Sequence, residues 1–210
     1  SYYFSYGFTG GSVSDIAGSN NGTLRNAPTI TTDRYGAANA YSFASGSSQY
    51  ISTATSYASP GPQTFSISVW FQTTSSGYLV GFGSSQTGNS TSIERVLYLA
   101  SNGQVCFGLQ PGGIKKTLST ISAYNDGGWH HAVATFSVAN GSNIYIDGAL
   151  AASDPTMNAV FSTAGYWRIA HDIALTGWAN APASAYFNGA LDDIAVANTE
   201  LTTAQKNVLY

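Results

Sequence analysis

Apolar and polar positions along this chain alternate mainly with the two-residue period of a pleated strand. In 64–72, Phe65, Ile67, Val69 and Phe71 share one face. In 129–136, Trp129, His131, Val133 and Thr135 oppose His130, Ala132, Ala134 and Phe136, and Ile144 and Ile146 then alternate with Tyr145. Shorter β-prone runs occur at 2–8, 40–43, 48–52, 78–82, 96–100, 104–109, 165–170 and 186–197. Turn residues punctuate them: Ser59-Pro60-Gly61-Pro62, Ser101-Asn102-Gly103, Gly127-Gly128 and Asp147-Gly148. Several of these supply the positive φ that tight hairpins require. One helix is expected, opened by the capping-box pattern Thr202-Thr203-Ala204-Gln205 and ending near Tyr210. About a dozen short strands with one C-terminal helix predict an all-β antiparallel sandwich, with 1–210 as a single domain.

Composition supports that reading and removes several functions. Of 210 residues, 8% are charged and 13% aromatic, a mixture that favours strands over helices. Seven scattered Lys and Arg in a chain of net charge −3 cannot neutralise a run of phosphates, so no nucleic acid partner is expected. No apolar run approaches the roughly 20 residues that span a bilayer, so membrane insertion is not expected either. Cys106, the single cysteine, sits in Val105-Cys106-Phe107 and reads as a small core residue. Abundant Ser, Thr, Asn and Gly with few Lys and Glu fits a secreted or cell-surface bacterial protein.

The candidate chemistry is sparse. His130 and His131 are adjacent on a strand and therefore diverge, with no third ligand at a suitable spacing; they read as one core-facing and one outward-facing histidine beside a buried Trp129. Glu94 and Glu200 are far apart, and Asp192 and Asp193, as strand neighbours, should point to opposite faces. No pair therefore meets the separation of about 5 Å that a retaining glycosidase needs. Gly-x-Ser-x-Gly is absent as well.

The order of motifs resembles the concanavalin A-like lectin/glucanase superfamily, and within it the laminin G-like domains of bacterial surface proteins. The matching stretches are Asp15 with Gly18 and Asn21-Gly22-Thr23-Leu24, Tyr41-Ser42-Phe43 with Tyr50-Ile51, and Phe65-Ser66-Ile67-Ser68-Val69-Trp70. They continue through Asp126-Gly127-Gly128-Trp129-His130-His131-Ala132-Val133, Ile144-Tyr145-Ile146-Asp147-Gly148, Phe187-Asn188-Gly189-Ala190-Leu191-Asp192-Asp193-Ile194 and the closing helix. The resemblance implies a concanavalin A-like jelly roll with the first and last strands side by side. It also implies a structural calcium ion (Ca2+) held by Asp192 and Asp15; the loop's own composition offers further oxygens from Asn20 and Asn21. The competing reading of that loop is an Asx-rich turn.

Family members bind glycans, bind proteins, cleave polysaccharides or act as spacers. For a glycan or cell-surface polysaccharide, the candidate residues are Trp178 in the long loop 171–185, with His171, Asp172, Asn180 and the preceding Trp167. The competing role for Trp178 is packing the loop onto the sheet. The expectation is a noncatalytic carbohydrate-binding domain using rim loops. The alternative is a structural or protein-binding domain in an adhesin or pilus-like surface assembly.

Overall fold

The computed structural model describes residues 1–210. In chain order the strands are β1 (Tyr2–Tyr6), β2 (Gly22–Arg25), β3 (Thr29–Thr31), β4 (Ala40–Phe43), β5 (Tyr50–Thr53), β6 (Phe65–Gln72), β7 (Gly77–Gly83), β8 (Ile93–Leu99), β9 (Gln104–Leu109), β10 (Lys116–Ala123), β11 (Trp129–Ser137), β12 (Gly141–Ile146), β13 (Ala149–Asp154), β14 (Tyr166–Ile169) and β15 (Gly189–Ala197). One helix, α1 (Thr203–Leu209), follows. An eight-stranded sheet runs β13-β12-β11-β6-β15-β4-β3, with β1 also paired to β15; a seven-stranded sheet runs β10-β9-β8-β7-β14-β5-β2. The two antiparallel sheets form the expected jelly-roll sandwich. The sequence pattern does not mark strands β2, β3, β10 and β13: they are short or largely exposed, so they carry no buried alternating face.

The period-two runs account for the centre. In β6, Phe65, Ile67, Val69 and Phe71 are fully buried against the opposite sheet, while Ser66, Ser68, Trp70 and Gln72 face outward. Strand β11 pairs with β6 from Trp129↔Gln72 to Phe136↔Phe65 and with β12 from Ala132↔Ile146 onward. Asp147 (φ 50°) and Gly148 (φ 81°) are both left-handed, the turn that a twisted two-residue hairpin needs. Between the sheets lies one core of 32 buried residues. Trp167 sits within it, 5.6 Å from the Phe65 ring and 5.4 Å from that of Phe82.

The outward faces of the sheets are covered differently. Over the seven-stranded sheet, Leu175 and Trp178 of the long loop pack on Tyr78, Ile93, Val96, Tyr98, Ala100 and Cys106. Cys106 is thus buried as expected, under the loop and outside the main core. Over part of the eight-stranded sheet, α1 and Leu201 pack on Val133, Ala197 and Tyr145. Thr202 caps α1 reciprocally: its Oγ1 accepts from the Gln205 N–H, and Gln205 Oε1 accepts from the Thr202 N–H at 2.9 Å. Lys206 Nζ lies 3.2 Å above the Tyr145 ring. Strand β1 pairs with β15 from Tyr2↔Ala197 to Tyr6↔Ile194, which puts the first and last strands together. No helix is long and apolar enough to cross a membrane.

Candidate ligand-binding surfaces

The structure buries most of the long loop that sequence reasoning singled out. Trp178 is 4% exposed, and its indole packs on Gly108, where any Cβ would collide with the ring. His171 is buried, stacks on Tyr186 at 3.7 Å, and its Nδ1 bonds the Ala185 carbonyl at 2.9 Å. Burial lowers the His171 pKa. Asp172 is fully buried and accepts from the N–H groups of Ser90 and Ile173 and from Ser90 Oγ. Its Oδ2 lies 3.6 Å from Nη1 of the equally buried Arg168, whose guanidinium also donates to the carbonyls of Ser85 and Gly88. Trp167 belongs to the inter-sheet core. Asn180 is exposed, and its Nδ2 donates to Gln104 Oε1 at 3.3 Å. Of the five candidates, only Trp178 borders an open hollow.

That hollow, about 430 Å³, is walled by Thr91, Ser92, Gln110, Lys115, Thr176 and Trp178, with Ile93, Ile173 and Ala174 completing it. Lys115 reaches over the indole, with Nζ 5.8 Å from the ring centroid, and donates to the Thr176 carbonyl at 2.8 Å. It is the only charged residue in the lining. Indole, hydroxyl, amide and ammonium groups together form a lining suited to a polyhydroxylated ligand.

The proposed calcium ligands fall into two groups that share no partner. Asp15 Oδ1 accepts from the N–H groups of Ser5 and Ala17, and Oδ2 accepts from that of Asn20. Asn21 Oδ1 accepts from the Asp15 N–H, and Asn20 Oδ1 from the Thr55 N–H at 2.7 Å. These oxygens are turned toward N–H donors, the geometry of an Asx-rich turn. Asp192 lies apart from them, with Oδ2 3.0 Å from Arg34 Nη1. No group of three or more His, Cys, Asp or Glu side chains is placed to hold a metal. As arranged, the four residues do not fit one calcium cage.

Two expectations about β11 and β15 need correction. A β-bulge at Asp193 (φ 42°) breaks the alternation, so Asp192 and Asp193 do not diverge but both contact Arg34 Nη1, at 3.0 and 2.9 Å. Burial and the neighbouring Asp193 charge push Asp192 up to about 7 despite Arg34. The guanidinium fills the space beside the two carboxylates and is itself stacked on Trp70, 4.2 Å from the ring centroid. Trp129 is not buried: the β11–β12 ladder begins at Ala132, so Trp129 has a strand neighbour on one side only and stays partly exposed.

The histidines do diverge. His131 faces outward but is buried under Trp70 and Tyr210, with Nε2 2.8 Å from Ser68 Oγ; burial, then the Arg34 charge, hold its pKa down at about 4. His130 lies at the inner rim, with Nδ1 2.8 Å from Asp147 and Nε2 3.0 Å from Asp126. Burial alone would lower its pKa, but the two carboxylates outweigh that and raise it. Elsewhere, Glu94 is buried with Oε1 unpartnered, and burial pushes it up to about 7. It lines neither this hollow nor the second one, a trough of about 320 Å³ on the eight-stranded sheet between Thr31 and Gly127.

Comparison with known proteins supplies the remaining context. The laminin G-type family model of the concanavalin A-like lectin/glucanases superfamily matches residues 45–205. No curated protein matches the chain by sequence. Among solved structures, domain 4 of an extracellular arabinanase from Geobacillus stearothermophilus, in complex with arabinotriose, superposes with TM-score 0.69 at 18% identity, covering 99% of this chain and 97% of that one. The ligand-binding domain of botulinum neurotoxin serotype D, in complex with N-acetylneuraminic acid, gives 0.68 at 16% identity, and the serotype G binding domain 0.70 at 14%. Both toxin comparisons cover all of this chain, which spans 50% of each toxin domain.

Proposed function

This chain belongs to the concanavalin A-like lectin/glucanases superfamily, and from that premise we propose that it is a noncatalytic, carbohydrate-binding recognition domain of a secreted or cell-surface protein. The observation that carries this reading is the hollow beside Trp178, where the indole and Ile173 form apolar walls and Lys115, Gln110, Ser92 and Thr176 offer groups that bond sugar hydroxyls. Trp178 acts as a fixed wall, because its ring is already packed on Gly108. The arabinotriose complex of a domain with the same fold, matched over nearly its whole length, supports the ligand class. The noncatalytic part is supported by the absence of any carboxylate from the lining of either hollow, since glycoside hydrolysis needs two.

A glycan array followed by calorimetry tests this. The reading expects binding that weakens in Lys115→Ala and Gln110→Ala, both surface changes that leave the unfolding midpoint in place. Silence across the array, with capture of a protein partner or self-association, would replace it with a structural or adhesin-type domain. Release of reducing sugar from arabinan or β-glucan by the purified chain would overturn the noncatalytic assignment.

A further inference from the structure

We propose a second carbohydrate site, independent of the first and on the opposite face of the sandwich, that takes a neutral, unbranched oligosaccharide laid across strands β11, β6, β15 and β4. The register builds it. Trp129 lies opposite Gln72, Gln72 opposite Ala190, and Ala190 opposite Ser42, so these four form one row across the outward face of the eight-stranded sheet. Strands lie about 4.8 Å apart, so the row is roughly 14 Å long, the span of a short oligosaccharide. Ala190 is the low point, and the trough runs over it. Along one side runs the neighbouring row of the sheet, Trp70 and Asp192, with Arg34 stacked on Trp70; on the other side the turn residues Thr73, Thr74 and Asn188 line the trough.

The chemistry of the lining selects the ligand. The hydroxyls of Thr31, Ser42 and Thr74 and the Nδ2 of Asn188 have no partner within the chain, and Gln72 uses only Nε2, on the Gly127 carbonyl. None of the lining residues is charged. The nearest cation, Arg34, is held by both Asp192 and Asp193, so the carboxylate of an acidic sugar would meet no free positive charge. At the end of the row stands Trp129, the one tryptophan of four that is not buried, with no aromatic partner; a partly exposed indole beside uncharged polar groups is what the apolar face of a sugar ring stacks on. Both ends of the row are open. Strand β3 is the sheet edge, and Trp129 has no β12 residue beyond it. A chain can therefore leave the trough at both ends, which fits recognition of the interior of a polysaccharide.

The test uses the full chain titrated with short neutral oligosaccharides (arabino-, xylo-, gluco- and manno-series), their monosaccharides and a uronic acid series, read by calorimetry and by the indole N–H resonances. The expected result is binding of a neutral series that tightens from monosaccharide to oligosaccharide and shifts the Trp129 resonance. Trp129→Ala and Gln72→Ala should weaken it by about tenfold or more, with no dependence on salt. The Trp129 resonance follows this site alone, so its titration curve, read beside the total heat, separates this site from the rim hollow. Melting curves of each variant confirm that the fold persists. Binding unaffected by Trp129→Ala, a Trp129 resonance that stays in place while the chain binds a neutral series, a Trp129 shift that prefers the uronic series, or silence across the neutral panel would each overturn the proposal.

Discussion

Trp178 lines a hollow on one outward face of the sandwich and Trp129 ends the row of residues that crosses the trough on the other, yet the first is buried and the second partly exposed. Trp178 lies in a loop without regular structure, but that loop folds flat onto the seven-stranded sheet, held by Asp172 between Ser90 and Arg168 and by the indole packed on Gly108. Trp129 lies within the most regular strand of the molecule, but at the one end where its hairpin partner has already turned back. A residue's exposure thus follows from what is laid over it, and the secondary structure that carries it says little. The consequence for function is that the loop hollow has a packed indole wall and one cation, whereas the sheet trough is open and uncharged.

The largest effect that can break this comparison is on stability. Trp178→Ala should cost about 3–5 kcal/mol, as expected for an indole removed from a packed site, and Trp129→Ala less than about 1 kcal/mol, both read by chemical denaturation. Equal costs would mean that the two tryptophans are not differently packed. The next test concerns pH. Because the folded His131 pKa is held near 4, below its ordinary 6.5, the folded state holds fewer protons than the unfolded one between those values. Its contribution is present at neutral pH and is lost as pH falls through that window, by up to about 3 kcal/mol. His131→Gln should flatten this part of the stability profile; burial raises Glu94 and Asp192 in both proteins, so their opposite-signed contribution cancels in the difference. An unchanged profile would show that the cover formed by Trp70 and Tyr210 is open in solution.

A smaller effect probes the cover over the other half of that face. Thr202→Ala removes the α1 cap and should cost about 1 kcal/mol, with amide exchange in α1 rising while the trough residues keep their protection. Smallest of all is the ion. Since the Asp15 loop is closed by its own N–H donors, adding calcium after chelator treatment should leave the unfolding midpoint unchanged. A rise in the midpoint would restore a calcium site and require Asp15 and Asp192 to move.

Much of the architecture was legible from local pattern. Period two placed β6 and β11, the Asp147-Gly148 turn placed their hairpin extension, and Thr202 with Gln205 placed the helix. The site was less legible, because it depends on contacts between distant parts of the chain. Nothing near Trp178 announces that it will be covered, although Gly108, a glycine in the interior of a strand, is the kind of signal that marks a close approach. Trp129 was misjudged because strand alternation assigns a face but does not say how far the neighbouring strand extends. Asp192 and Asp193 were misassigned for a related reason: a bulge is an insertion into the ladder, and two adjacent aspartates look the same in sequence with or without it. The row from Trp129 to Ser42 draws one residue from each of four strands, and only the register reveals it.

The pairing of β1 with β15 has a mechanical consequence. Tyr2 at the start of β1 faces Ala197 at the end of β15, so the two ends of the chain leave this pair at the same edge. Tension applied between the termini, once α1 has been drawn off, pulls the strands apart crosswise and breaks their bonds one after another, beginning at Tyr2. It does not load them together in shear. Under a stretching force the domain should therefore yield by peeling at its N-terminal strand, at low force, while the trough strands β6, β11 and β4 are still paired.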